Sequence, residues 1–377
     1  MKQLGLSAVL CFLLALVLGA SALLIPVAAL HLVFAVGILP LIFGAMLHFV
    51  PVLTRSTAPH PGIAALPFIA LLVGIPVVLA IQGILPRSAL HAAATADLAI
   101  AGILIAWMLR RARRTLGAPH PGWRWYAASL SLLVLALLAV PPLAAGVSPL
   151  AFRLFHLHAN TLGFVGLTAL GTLPVLLPTA LGKPDPQAAP WLRRRLFVAV
   201  AGVLFVSLGA ALWWPLTLVG GSLLAVLSLG LLAHWWRVFT PAVLFADGAG
   251  TSLAAALAAY GALLFVGALH GARLVAADGM VLGFGAAFLL PLVTGALSQL
   301  LPVWRFPGPN SPARQAMRRQ LVRFGRLRAC LFPLAGAACI AELVPVALVL
   351  AASGLLLFAA DLVSSLAIAL RDPPPAR

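Results

Sequence analysis

The chain has very few charged residues for its length. Of its 377 residues only 8% are charged, whereas 63% are hydrophobic and the mean hydropathy is +1.13. Soluble proteins carry about 25% charged residues. Apolar runs of about 20 residues recur between Arg-rich connections, which is the pattern of membrane-spanning helices. The composition therefore excludes a water-soluble protein and indicates an all-α integral membrane protein that crosses the bilayer many times.

Cysteine is also scarce. The three cysteines, Cys11, Cys330 and Cys339, lie inside apolar segments and form no CxxC pair. This spacing excludes a disulfide framework, so the three thiols are expected to pack as small hydrophobic side chains.

Pro, Gly and Arg divide the apolar sequence into twelve predicted helices. We take the first as retained rather than cleaved, because its apolar run of about 22 residues is long for a signal peptide. The predicted limits are approximately 4–25, 28–53, 63–85, 88–109, 125–146, 150–178, 196–214, 216–236, 250–270, 276–302, 324–343 and 346–370.

Basic residues concentrate on one side of these helices. With the N-terminus inside, only Arg87, Arg153 and Arg273 fall on the outer side, so the cytoplasmic connections, to which Arg328 is assigned, hold the other 21 of the 24 basic residues. Such an asymmetry predicts a multi-pass protein of a bacterial-type inner membrane with both termini in the cytoplasm. It also explains the net charge of +17 through contact with anionic lipid headgroups, without nucleic acid.

A short pattern recurs near the inner ends of three helices. GAMLHFVP (Gly44–Pro51), GTLPVLLP (Gly171–Pro178) and GALSQLLP (Gly295–Pro302) each consist of Gly, six residues and Pro. They lie on the second, sixth and tenth predicted helices, so the period is four helices. We predict a single membrane domain built from three four-helix repeats. The repeats cover about 1–115, 122–240 and 248–371 of residues 1–377.

The repeat aligns histidines near the outer face. An offset of 127 residues takes His31 to His158, and a further 124 leads to Leu282. The residues two positions before His158 and Leu282 are His156 and Met280. The prediction therefore places imidazoles and a thioether at the outer ends of three helices that the repeat brings to the centre.

His156 and His158 are the most informative pair in the chain. Residues two apart are about 200° apart around a helix of 3.6 residues per turn, so the two rings point to different neighbours. Ionisable groups inside a membrane are costly and usually mark a function. Imidazole is moreover a common axial ligand of haem iron.

Two acidic residues, Asp97 and Asp361, lie within predicted spans. A membrane carboxylate needs a partner. For Asp97 we expect His91, six residues earlier at the outer end of the fourth helix, or a metal-bound histidine. The partner of Asp361 stays open.

The bis-histidine helix resembles one of a known family. This helix contains His156-Leu-His158, followed by Leu162-Gly163-Phe164, Gly171 and Pro178. It is similar to the helix that holds two haems in subunit I of haem-copper oxidases and nitric-oxide reductases. The resemblance implies twelve helices in three arcs of four, haems toward the outer face, and His31 as the ligand from an earlier helix.

The sequence departs from that family in several ways. Its pair lies on the sixth helix rather than the tenth, and Trp213–Trp236 contains no His-His pair for copper. No proton channel lined by carboxylates is visible. The chain therefore looks more like the compact NnrS-type relatives, which contain haem and copper and are associated with nitric-oxide metabolism.

The resemblance implies a set of ligands. His31 and His158 would hold one b-type haem from both faces, and His156 would hold a second haem or a copper ion, with Met280 as a soft copper ligand. His91 is a further candidate metal ligand. Arg153, with Arg87 or Arg273, would pair with haem propionates. A covalent c-type haem is not expected, because there is no CxxCH. An electron-donor protein on the outer face is the implied partner.

Two alternatives stay open. One is a twelve-helix solute transporter, although the repeat by four helices and the loop TRSTAPHPG, which has no Asp, are unlike the major-facilitator carriers. The other is an assembly factor that handles haem or metal. The sequence leaves catalysis undecided.

Overall fold

The computed structural model describes residues 1–272, 274–275 and 278–371, and every regular element in these ranges is a helix. Arg273, a predicted propionate partner, lies outside the described residues. The helices are α1 Lys2–Ala20, α2 Pro26–Leu53, α3 Pro61–Ile81, α4 Ser88–Arg113, α5 Gly122–Ala144, α6 Pro149–Ala180, α7 Ala188–Leu212, α8 Pro215–Leu244, α9 Gly248–Gly271, α10 Gly279–Arg305, α11 Pro312–Val322, α12 Gly325–Ile340 and α13 Val344–Arg371.

Within the described ranges, eleven helices are long and apolar enough to cross a membrane, namely α1–α10 and α13. The prediction of an all-α, multi-pass membrane protein is confirmed. The predicted span at 324–343 is the exception, because α12 has only 16 residues. Its length of about 24 Å is less than a hydrocarbon core of about 30 Å. A twelfth crossing therefore stays a prediction.

The helices that carry the Gly–Pro pattern share a departure from α-helical geometry. A π-helical segment occupies Leu32–Ile38 in α2, Ala159–Gly166 in α6 and Phe284–Leu289 in α10, and the rest of the described chain has no other. π-Helical turns are rare and frequently accompany functional sites. The threefold repeat stays a prediction, and this recurrence supports it independently of the Gly–Pro pattern.

The glycines of the pattern allow a neighbouring helix to approach closely. A Cβ atom on Gly44 would lie 2.7 Å from Leu4 of α1, and one on Gly171 would lie 2.5 Å from Trp125 of α5. A Cβ on Gly295 would lie 3.0 Å from a side chain of α9. In all three cases the contacting helix is the one that precedes the glycine's helix in the chain. A larger residue would push the two helices apart.

Two helices begin at the same five-residue sequence. APHPG occupies positions 58–62 before α3 and 118–122 before α5. The ring Nδ1 of His60 accepts the N–H of Gly62 at 3.2 Å, and that of His120 accepts the N–H of Gly122 at the same distance. Each imidazole therefore satisfies one of the backbone donors left open at a helix start.

Packing divides the chain into two compact units. The first contains Gln3–Thr172 and Pro186–Leu223, and the second contains Leu173–Asp185 and the chain from Leu224 onward. All the predicted haem ligands lie in the first unit, whereas Met280 and Asp361 lie in the second.

Candidate cofactor site

Three histidines of the first unit lie at or just before a change from α-helix to π-helix. His31 directly precedes the π-helical segment of α2, and His158 directly precedes that of α6. The predicted offset of 127 residues thus relates two positions with the same local geometry. His156 lies two residues earlier on α6. All three side chains are partly buried.

Each of these imidazoles donates its Nδ1–H to a backbone carbonyl. His31 bonds to the carbonyl of Val27 and His158 to that of Leu154, each four residues earlier and each at 2.8 Å. His156 instead bonds across to Ala136 of α5, also at 2.8 Å. Because a carbonyl oxygen only accepts, Nδ1 carries the proton, and in the neutral ring Nε2 keeps its lone pair. Ligating histidines are commonly oriented in this way.

Hydroxyl groups hold α6 against α5 further along the helix. The Tyr126 hydroxyl bonds to Thr172 at 2.9 Å, and the Thr168 hydroxyl donates to Ser129 at 3.0 Å. Such bonds between membrane helices stabilise their packing because the surrounding lipid offers no partner. Together with the bond of His156 to α5, they set the rotation of α6 and therefore the direction of both its imidazoles.

His31 and His156 lie on helices that touch each other. The rings of Phe43 on α2 and Phe164 on α6 meet edge to face with centroids 5.9 Å apart. The first unit therefore packs the helix of His31 against the helix of His156 and His158, while the predicted pairing of His31 with His158 stays a prediction.

The third π-helical segment has no imidazole before it. Gly283 takes that position, and a Cβ there would lie 3.0 Å from Ile340 of α12, so α12 occupies the space that a side chain would need. Met280, the predicted soft ligand, lies in the same unit, with its methyl group 4.0 Å from the Cβ position of Gly267. The second unit thus packs helices together where the first unit carries histidines.

The remaining predicted ligands are exposed. His91, Arg87 and Arg153 lie on the surface. Arg87 directly precedes α4, and Arg153 is in the first turns of α6. Both arginines therefore lie at the same ends of the helices as the three histidines. Exposed guanidinium groups in this place are available to an anion, including a propionate or a lipid headgroup.

Arg328 corrects one prediction from the sequence. It was assigned to a cytoplasmic connection, but it is fully buried, and its guanidinium donates to Asp361 of α13 at 2.9 Å. It also donates to the Leu321 carbonyl at 2.8 Å and lies over the ring of Phe358. This is the partner that the sequence left open for Asp361. A signal existed, since Arg328 stands inside the predicted span 324–343.

Among the described residues, Asp97 has no such partner. It is 5% exposed, and its Oδ1 atom is buried without a hydrogen bond. His91, its expected partner, is also within the described residues, but it is exposed and no bond joins the two side chains. Six residues along a helix place the two about 9 Å apart in axial rise and on different faces, which prevents the contact.

A metal ion held by protein alone and a haem iron need different numbers of protein ligands. In the ranges that the structure describes, no group of three or more His, Cys, Asp or Glu side chains could hold a metal ion. A haem iron takes only one or two axial ligands from the protein. The three imidazoles with fixed Nδ1 protons are enough donors for that requirement.

Comparison with known proteins gave no relative: no family model and no curated protein matches the chain.

Proposed function

We propose that this protein binds haem through His31, His156 and His158 and acts in redox or nitric-oxide chemistry as a compact, NnrS-like member of the haem-copper oxidase superfamily. The observation that carries the proposal is the shared bond of the three imidazoles, each with Nδ1 donating to a carbonyl at 2.8 Å.

The chain's own residues have separate roles in this proposal. The carbonyls of Val27, Leu154 and Ala136 hold the imidazoles so that Nε2 is the nitrogen offered to iron. Hydrogen bonding to a backbone acceptor also raises the basicity of the ligating nitrogen. When bound, a haem supplies an iron that changes oxidation state and binds small ligands such as nitric oxide. Arg153 is proposed to pair with a propionate, and a copper ion is the alternative occupant beside His156.

The proposal includes a location. The distribution of arginines favours a bacterial-type inner membrane with cytoplasmic termini and the three histidines toward the outer face. An electron-donor protein would then approach from outside. Both termini share one side only if α12 crosses the membrane.

Optical spectra of the detergent-purified protein, oxidised and dithionite-reduced, test the proposal. We expect a sharp reduced α-band in the wild type, lost or shifted in His31→Ala, in His156→Ala and in His158→Ala. The matched control is His60→Asn, which removes an imidazole but leaves a side chain that can accept the N–H of Gly62. A colourless wild-type protein, expressed with ample haem, would falsify haem binding.

Transport is the second candidate function. It is favoured by the buried ionisable residues outside the histidine site, namely Asp97 and the pair of Arg328 with Asp361. Intramembrane charges are typical of solute and proton pathways. A colourless protein that accumulates a labelled solute in proteoliposomes would establish this function instead. A haem protein whose iron has no open coordination position would point to an assembly or carrier role.

A further inference from the structure

Asp97 lies deep within a membrane helix. It follows the first residue of α4, Ser88, by nine positions and precedes the last, Arg113, by sixteen. At 1.5 Å per residue these separations are about 14 Å and about 24 Å. Its side chain is buried, and so are Ala93, Ala94 and Ala101, which lie three or four residues away on the same helix. Water at either membrane surface is therefore far from this carboxyl group.

No described cation balances a charge on Asp97. The ion pairs of the described residues join His234 to Asp185, Arg318 to Asp247 and Arg328 to Asp361, and none includes Asp97. On α4 itself, His91 is exposed, and Arg111 donates to Ser56 and to the carbonyls of Thr57 and Ala58. The remaining arginines of this helix, Arg110 and Arg113, begin thirteen residues after Asp97.

The helices packed most extensively against α4 supply no counter-charge either. These are α3 and both parts of α5, Gly122–Leu138 and Val140–Ala144. The sequence of α3 contains no ionisable residue, and neither does Val140–Ala144. Near the start of α5, Arg124 is exposed and lies over the ring of Trp123, and the hydroxyl of Tyr126 is bonded to Thr172. Within the part of the chain that the structure describes, the buried carboxyl group of Asp97 therefore has no counter-charge.

We infer that Asp97 is a proton-binding site inside the membrane, with its carboxyl group protonated at rest. Transfer of an unpaired carboxylate from water to an apolar interior is strongly unfavourable, so such a group binds a proton and becomes neutral instead. Asp361 is the contrast within the same chain, because its buried carboxylate faces Arg328 at 2.9 Å and Gln320 at 3.3 Å. One buried acid is balanced by a cation and the other by a proton.

The site gives the first unit a means to exchange a proton without a fixed counter-ion. When positive charge leaves or negative charge enters the unit, a neutral carboxyl keeps its proton more firmly, and the opposite change favours release. This applies equally to a protein that moves electrons and to one that moves solutes. The inference therefore does not depend on haem binding.

Infrared spectroscopy of the full-length protein in detergent decides the protonation state. We expect the wild type at neutral pH to show the carbonyl stretch of a protonated carboxylic acid, displaced in D2O and absent from Asp97→Asn. The amide variant keeps the shape of the side chain, and gel filtration confirms that it is folded. A wild-type spectrum without this band, or with a band that Asp97→Asn leaves unchanged, would overturn the inference.

A hydrophobic carbodiimide gives a second, residue-specific reading. The protonated carboxyl adds across one C=N bond: its oxygen bonds to the central carbon and its proton moves to a nitrogen. Transfer of the acyl group from oxygen to nitrogen then leaves a stable adduct that contains every atom of the reagent. Peptide mass mapping should find this adduct on Asp97 and not on Asp361. An adduct on Asp361 with none on Asp97 would contradict the assignment.

Discussion

The guanidinium of Arg328 lies 2.9 Å from the carboxylate of Asp361, and both side chains are sealed from solvent. The pair joins α12 to α13, and the second donor nitrogen of Arg328 reaches back to the Leu321 carbonyl at the end of α11. Three consecutive helices of the second unit therefore meet at one buried charge pair. A buried pair stabilises a structure only while both partners are present.

Replacing Asp361 with Asn should destabilise the second unit strongly, because Arg328 would remain charged and buried without its counter-ion. The expected loss in the free energy of unfolding is about 3–5 kcal/mol, measured by denaturant titration in mixed micelles. The double variant Arg328→Met, Asp361→Leu removes both charges and should recover most of the loss. A single variant as stable as the wild type would show that the pair does not hold these helices.

Replacing Gly171 with Ala should separate α5 from α6. The new Cβ would lie 2.5 Å from the Cβ of Trp125, which cannot move without its helix, and such overpacking costs about 1–3 kcal/mol. The matched control is Gly102→Ala in α4, where no atom lies within 4 Å of the new methyl group. That change should be neutral or stabilising by up to about 1 kcal/mol. Equal thermal stability of the two variants would contradict this account of the glycine pattern.

His120, in the connection between α4 and α5, should make stability fall in mild acid. Burial, together with the positive charge of Arg193, holds the pKa of His120 below its ordinary value of 6.5. The folded protein then binds fewer protons than the unfolded chain, so this contribution is complete above about pH 6.5 and is lost as the pH falls through the folded pKa.

The test of this pH dependence is His120→Asn, since asparagine can still accept the N–H of Gly122. Melting temperatures between pH 7 and pH 5 should fall less steeply in the variant than in the wild type. Identical pH profiles would mean that His120 does not contribute to the decline.

Reporter fusions should place both termini on the cytoplasmic side. Although α12 has 16 residues, its buried arginine is neutralised by Asp361, which lowers the cost of inserting that helix. We therefore expect a C-terminal green fluorescent protein to be fluorescent and a C-terminal alkaline phosphatase to be inactive. An active phosphatase would show that α12 does not cross and that eleven helices span the bilayer.

The sequence alone determined the class of this protein and the position of most of its helices. Apolar runs as long as a bilayer is thick leave a chain no soluble alternative, and a helix is the only element that satisfies its own backbone in lipid. The same local reasoning singled out His156 and His158, because imidazoles at positions i and i+2 cannot lie on the same face of a helix. The offset from His31 to His158 also proved to join two positions of equal backbone geometry.

Tertiary structure alone decided which groups meet. Nothing local in the sequence says that the imidazole of His156 bonds to the carbonyl of Ala136, that Arg328 turns inward to Asp361, or that Asp97 has no counter-charge among the described residues. The length and polarity of a span depend on its own residues and the lipid. The partner of a buried polar group instead depends on the rotation and register of a neighbouring helix, and those are set by the packing of the whole unit.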